Sequence, residues 1–160
     1  MIPKVIEAPG FSVVGISTRT SNAEEMSGKA VIPQQWDRFM KEGLLNKIPN
    51  KVDSNILALY ADYESDANGA YTFMIGAQVR SVDDLPPGMV SKQVPAGRYA
   101  LFVSEKGFVG KIVPQSWSRI LALPKSSPGG NRTYEADFEV YDHRAADPQN
   151  AVVDIYVGIK

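Results

Sequence analysis

The stretch that decides the fold is VIPQQWDRFM at residues 31–40, because it returns as IVPQSWSRIL at residues 112–121. Each copy predicts the start of a helix, since proline suits the first helical position, where its missing N–H leaves no bond unmade. Apolar residues recur at helical spacing after each proline, which predicts one buried stripe per helix. The stripes comprise Trp36, Phe39, Met40 and Leu44 in the first helix and Trp117, Ile120 and Leu121 in the second.

The repeat extends beyond the helices. The offset is 81 residues (117 − 36), and the same offset matches Tyr60 with Tyr141 and Ala58 with Glu139. Each half therefore has the order strand-strand-helix-strand-strand. The strands are predicted at residues 5–6, 11–18, 56–64, 70–80, 90–94, 98–105, 134–142 and 151–159, and the helices at 33–45 and 114–123. We predict an α+β fold in one domain, residues 1–160. Its duplicated halves, about 1–85 and 86–160, form one mostly antiparallel curved sheet with two helices on one face.

Composition excludes several classes of function. The chain has 160 residues, 44% of them hydrophobic, as expected of a globular domain, and its net charge of −1 disfavours direct nucleic-acid binding. It contains no cysteine and one histidine, His143, which is predicted to lie exposed in a loop, so we expect no metal site and no cofactor. The sequence starts with no signal peptide and has no apolar run of membrane-spanning length, so a cytoplasmic location is expected.

One carboxylate lies in a pattern that suggests chemistry. In the strand predicted at residues 134–142, alternation places Glu139 and Tyr141 on one face and Phe138 and Val140 on the other. If both faces of this strand are covered, Glu139 is partly buried and needs a partner, or its pKa rises. The alternative is that Glu139 pairs with a lysine or arginine, or lies on an open sheet face. The residues alone leave both interpretations open.

The aromatic residues allow two interpretations as well. The chain has 15 of them (2 Trp, 7 Tyr and 6 Phe), and Trp36 and Trp117 lie on the apolar stripes of the helices. Core packing is the default for such residues. Alternatively, both tryptophans and the matched pair Tyr60 and Tyr141 line a cleft between the halves. An aromatic cleft containing one acid suits a lipophilic cation.

The chain resembles the GyrI-like small-molecule-binding domain, also called the bacterial transcription activator effector-binding domain. This domain is the effector module of AraC- and MerR-type multidrug regulators and also occurs alone, as in integron cassette proteins. The matching stretches are IPQQW at 32–36 with Phe39 following, YESD at 63–66, VPAGRYA at 94–100, DFEVY at 137–141 and VDIYVGIK at 153–160.

The resemblance implies a groove for hydrophobic, often cationic compounds. In multidrug regulators of this type a glutamate on the penultimate strand, between an aromatic and an aliphatic residue, meets the positive charge of the ligand. Glu139 matches that position, and Tyr141 lies beside it. We therefore expect a ligand-binding site made of Glu139, Tyr141, Trp36, Tyr60 and Trp117, with no catalytic residue.

The predicted function is that of a stand-alone binding module for lipophilic, cationic, aromatic small molecules. The sequence shows no helix-turn-helix, so any effect on transcription is expected to require a DNA-binding protein partner. Two alternatives remain open. One is a small hydrolase that uses the pocket glutamate on strained, electrophilic natural products. The other is a protein-interaction module that acts like a gyrase inhibitor.

Overall fold

The strands form one antiparallel sheet whose order is symmetric between the two halves of the chain. The computed structural model describes residues 2–160. The strands are β1 (Lys4–Ala8), β2 (Phe11–Ser21), β3 (Ile56–Ala61), β4 (Ala70–Val79), β5 (Val90–Val94), β6 (Gly97–Val103), β7 (Arg132–Tyr141) and β8 (Asp154–Ile159). Their spatial order is β1-β6-β8-β7-β3-β4-β2-β5. The repeat makes β1 equivalent to β5, β2 to β6, β3 to β7 and β4 to β8. When each strand is replaced by its equivalent, the same order is read from the opposite edge, so the sheet has an approximate two-fold symmetry. The predicted α+β class and duplicated sheet are confirmed.

The helices pack on one face of the sheet, and the repeated stretch forms the two longest of them. They are α1 (Asn22–Met26), α2 (Ile32–Lys41), α3 (Leu44–Lys47) and α4 (Val109–Leu121), with a single 3-10 turn at His143–Ala145. Phe39 of α2 and Ile120 of α4 are buried in the core. Within residues 2–160, no helix is long and apolar enough to cross a lipid bilayer.

Three details of the helices differ from the sequence prediction. Met40 is 61% exposed and Leu121 is 48% exposed, although both were assigned to the buried stripes. Each directly follows a buried residue and is turned about 100° away from it around the helix. Helix α1 also lies between the predicted strand 11–18 and the predicted helix 33–45, where the sequence predicted neither strand nor helix.

The third difference is the start of α4, which begins at Val109 rather than at Pro114. The Val109 N–H donates to the carbonyl of Pro148 at 2.8 Å, and the Ile112 N–H donates to the carbonyl of Phe108 at 3.0 Å. The first contact comes from the connection between β7 and β8, which local patterning does not reveal. Pro114 therefore lies inside the helix, at the cost of one backbone hydrogen bond.

The two halves meet where β3 pairs with β7. Ala58 is directly opposite Glu139 in the register, and Ile56 is opposite Tyr141. Because Ala58 and Glu139 are also equivalent in the repeat (139 − 58 = 81), the approximate two-fold axis passes through this pair. Equivalent side chains from both halves consequently converge around Glu139 on the helix-bearing face.

The sheet is strongly curled around its other face. Phe11 of β2 and Tyr99 of β6 both contact the ring of Phe138, at 5.3 and 5.4 Å between centroids, although neither strand is a neighbour of β7. Gly15 and Gly76 pair across β2 and β4, and a Cβ on Gly15 would lie 1.9 Å from the Ile75 carbonyl oxygen. Only glycine permits this close approach of two backbones within the curled sheet.

Candidate functional site

The carboxylate of Glu139 is buried, and aromatic side chains donate hydrogen bonds to both of its oxygens. Glu139 lies in β7 and is 1% exposed. Its Oε2 accepts hydrogen bonds from the Tyr60 hydroxyl at 2.7 Å and from Trp117 Nε1 at 2.6 Å. Its Oε1 accepts from the Tyr141 hydroxyl at 2.5 Å. Three neutral donors therefore hold the acid in a fixed position.

The symmetry of the fold explains why these aromatic side chains converge. Tyr60 and Tyr141 occupy equivalent positions on β3 and β7, and Trp36 and Trp117 do so on α2 and α4. The Tyr60 and Trp117 rings meet edge to face at 5.3 Å, and the equivalent pair, Tyr141 and Trp36, meets at 4.8 Å. The structure thus brings together all five residues that the sequence singled out. Trp36 contacts the group through Tyr141.

The charge of Glu139 is left without a counter-ion. Burial raises the pKa of the Glu139 carboxyl above its ordinary 4.5, while the hydrogen bonds from Tyr141, Trp117 and Tyr60 oppose that rise. Among residues 2–160, no lysine, arginine or histidine nitrogen lies within 4.0 Å of this carboxylate. The sequence left open a salt bridge or an open sheet face. The structure shows neither, because the acid is buried against neutral donors.

Burial also fixes the protonation of the surrounding hydroxyls. Desolvation, with the nearby Glu139 charge, raises the pKa of Tyr60 and of Tyr141 well above 10.0. Both phenols consequently remain protonated donors throughout the physiological range. Their rings present apolar surface, and their hydroxyls point at the carboxylate, so the site has an aromatic wall and an acidic centre.

A second buried acid, which sequence reasoning missed, lies two residues before Glu139 on the same strand. Asp137 is 0% exposed and accepts from Arg132 Nη2 at 2.6 Å, from the Tyr63 hydroxyl at 2.5 Å and from the Gly158 N–H at 2.8 Å. The Arg132 guanidinium lies 4.5 Å from the Tyr134 ring centroid. Alternation from Glu139 could have identified Asp137, but its partner Arg132 could not be paired with it by spacing.

The tryptophan of α4 joins the two acidic positions. The guanidinium carbon of Arg132 lies 5.7 Å from the centroid of the Trp117 ring, whose Nε1 donates to Glu139. Trp117 therefore contacts a cation with its ring and a carboxylate with its indole N–H. In this part of the protein, one cation, the Arg132 guanidinium, is therefore already bound jointly by a carboxylate, Asp137, and by aromatic rings.

Residues 2–160 contain no group of three or more histidine, aspartate or glutamate side chains placed to hold a metal ion. His143, the single histidine of the sequence, is exposed in the 3-10 turn, as predicted.

The sequence matches the family of integron-associated effector binding proteins (Cass2) over residues 4–159, and the chain belongs to that family. This confirms the resemblance to the GyrI-like effector-binding domains.

Three individual proteins are also similar to this chain. YobU of Bacillus subtilis, which bears the name of a transcriptional regulator, is 41% identical over 148 residues, covering 91% of this chain and 90% of YobU. An integron cassette protein from the mobile metagenome of Vibrio cholerae shares the fold with a TM-score of 0.72 and 26% identity, covering 99% of this chain and 95% of the other. The structure of SAV2435 bound to tetraphenylphosphonium is similar in fold, with a TM-score of 0.79 at 18% identity, over 100% and 94% of the two chains.

Proposed function

We propose that this protein binds lipophilic aromatic cations, that Glu139 meets the positive charge and that Trp36, Tyr60, Trp117 and Tyr141 form the walls of the site. The observation that carries the proposal is a buried carboxylate without a cationic neighbour, enclosed by aromatic rings. Buried charge is normally paired, so an acid held ionisable at the centre of a fold calls for a cation from outside.

The energetics favour a cation over a neutral or anionic ligand. A positive charge about 4 Å from a carboxylate is attracted by roughly 4 kcal/mol at an effective dielectric constant near 20, before the hydration of both groups is subtracted. Each aromatic face adds about 0.5–2 kcal/mol to the binding of a desolvated cation. Burial raises the pKa of Glu139, so a bound cation also stabilises the ionised form that burial disfavours. An anion meets repulsion instead.

Access to Glu139 requires movement of the aromatic side chains that cover it. Displacing Trp117 breaks a hydrogen bond to a carboxylate, which contributes about 1.5–3 kcal/mol. Displacing Trp36 breaks no hydrogen bond to Glu139; it removes the edge-to-face contact with Tyr141, a loss of about 0.5–1.5 kcal/mol beyond the buried area. The ligand therefore enters past Trp36 on α2, while Trp117 keeps the carboxylate in place.

The similar proteins support both the ligand class and a regulatory role. SAV2435, which shares the fold, was solved with tetraphenylphosphonium, a lipophilic aromatic cation of the proposed class. YobU carries the name of a transcriptional regulator. In the proposal, ligand occupancy at Glu139 is transmitted to a DNA-binding partner, and the effector module itself senses the compound.

The proposal is tested by isothermal titration calorimetry with two ions of the same shape and opposite charge, tetraphenylphosphonium and tetraphenylborate. We expect the phosphonium to bind and the borate to bind far more weakly. Glu139→Gln should weaken the phosphonium about 10–100-fold, equivalent to about 1–3 kcal/mol for one charge-assisted contact.

The matched control is Glu135→Gln, which removes the same charge from the same strand. Glu135 is exposed because β7 is irregular between Arg132 and Asp137, so its loss should leave affinity unchanged. Equal affinity for the two ions, or equal losses in the two variants, would remove Glu139 from the site.

A further inference from the structure

A cleft lies on the face of the sheet opposite to Glu139. Its volume is about 360 Å³. Its floor contains Phe138 and Tyr156, whose rings stack at 4.6 Å with an interplanar angle of 12°, and Phe11 meets Phe138 edge to face. The turn between β1 and β2, at Pro9 and Gly10, forms one wall. This volume lies at the lower end of the range for small-molecule sites, about 300–1,000 Å³.

The charged residues of this cleft are all acidic. Glu7 and Asp53 line it together with the neutral Asn55 and Gln78, and none of its lining residues in the described chain is a lysine, arginine or histidine. In the described part of the chain the only salt bridge made by either acid is that of Glu7 with Arg98, whose Nε lies 3.8 Å away in an exposed ion pair. Exposed pairs of this kind contribute little, so the acidic character of the rim is retained.

We propose that this cleft is a second binding site, for a small organic cation that carries one aromatic ring. The partly exposed ring of Tyr156, held in place by the buried Phe138 on which it stacks, offers an aromatic surface to the ring of the ligand. The acidic rim favours a positive charge and repels a negative one. The site is separate from the one at Glu139. Alternation along β7 directs Phe138 and Val140 into the cleft and Glu139 and Tyr141 to the helix-bearing face.

The experiment is a ¹H–¹⁵N NMR titration of the whole chain with benzyltrimethylammonium, and with benzylsulfonate as the anion of similar shape. The backbone amides of Gly10, Phe11 and Asn55 report on the cleft, and the indole N–H of Trp117 reports on Glu139. We expect saturable shifts at the three cleft amides with the cation and none with the anion. In Glu139→Gln the cleft shifts should persist with an unchanged dissociation constant.

Further variants change the charge of the rim and the volume of the cleft separately. Glu7→Gln combined with Asp53→Asn should weaken the cation at least threefold. The matched control is Glu64→Gln with Asp66→Asn, which removes two exposed acids elsewhere. Asp66 accepts from the Asn68 N–H as Asp53 does from the Asn55 N–H, so both double variants keep their turn. Ala8→Leu, which fills the cleft, should abolish the shifts while the remaining spectrum shows an intact fold.

Four results would overturn the proposal. They are equal shifts with cation and anion, no saturable shift at the cleft, loss of the cleft shifts in Glu139→Gln, and equal weakening by the two double variants. Cleft shifts that depend on protein concentration without any probe would assign this face to a second copy of the chain instead.

Discussion

Asp137 and Glu139 are two buried acids on the same face of the same strand, and the protein neutralises only one of them. Asp137 is paired with the buried Arg132, whereas Glu139 is bonded to tyrosine and tryptophan donors alone. The Arg132 guanidinium lies over the rings of Tyr63, Trp117 and Tyr134 as it meets Asp137. The Asp137 position is therefore an internal example of the arrangement proposed for an external cation at Glu139.

The comparison also shows how the duplication became asymmetric. The repeat equivalents of Asp137 and Glu139 are Ile56 and Ala58 (each 81 residues earlier), so only the second half supplies acids. Trp117 donates to Glu139, whereas the equivalent Trp36 would meet Ala58, which offers no acceptor. One carboxylate on the axis is thus hydrogen-bonded by aromatic side chains that come from both halves.

The largest effect on stability is expected when Asp137, the acid paired with Arg132, is changed. Asp137→Asn leaves Arg132 buried without its counter-ion, and breaking a buried pair in this way costs about 3–5 kcal/mol of the free energy of unfolding. Urea denaturation measures it, with the exposed Asp66→Asn as control. A loss no larger than that of the control would show that Arg132 does not depend on Asp137 and would end the comparison.

Removing the charge of Glu139, the acid without a counter-ion, should stabilise the protein at neutral pH relative to acidic pH, in contrast to the loss expected for Asp137→Asn. Burial raises the folded-state pKa of Glu139 above 4.5, so the folded state holds a proton that the unfolded chain releases. The free energy of unfolding consequently falls as the pH rises from 4.5 through the raised pKa. This loss is about 1.4 kcal/mol for each pH unit of the shift.

Glu139→Gln cannot titrate, so its stability relative to wild type should increase across that pH window. Urea denaturation at pH 4.5 and at neutral pH measures the difference. A variant that is less stable than wild type by the same amount at both pH values would mean that burial does not penalise the charge of Glu139.

Cation affinity should depend on pH through the same group. Only the ionised carboxylate attracts tetraphenylphosphonium, so affinity should fall as the pH drops through the raised pKa of Glu139, at most about tenfold per pH unit. Fluorescence titration across the pH series follows this. Glu139→Gln should bind weakly at every pH, and a wild-type affinity that does not change with pH would exclude Glu139 as the charge that meets the ligand.

The smallest effect separates the two equivalent tryptophans. Trp117→Phe removes a hydrogen bond that lowers the pKa of Glu139, so the midpoint of the pH-dependent binding should move upward by less than about one pH unit. Trp36→Phe removes no such bond and should leave the midpoint in place. Equal midpoints in the two variants would mean that the asymmetry between Trp36 and Trp117 has no electrostatic consequence.

Much of the fold could be predicted because it is encoded by local and repeated patterns. The 81-residue offset predicted two duplicated halves that form one mostly antiparallel sheet, and the alternation of β7 predicted the faces of Glu139 and Phe138. The prediction was wrong where tertiary contacts decide. Helix α4 starts at Val109 because Pro148, distant in the chain, accepts its N–H.

In the candidate site, too, some features could be predicted from the sequence and others depend on tertiary contacts. The sequence by itself determined the residue types and their equivalence in the repeat, one acid and two pairs of aromatics, since the 81-residue offset can be found without knowledge of the packing. Only the tertiary structure decided that Glu139 lies on the two-fold axis opposite Ala58, bonded to neutral donors, while Asp137 takes Arg132. Charge pairing depends on distances of a few ångströms between side chains, and those distances are fixed by the packing of helices on the curled sheet.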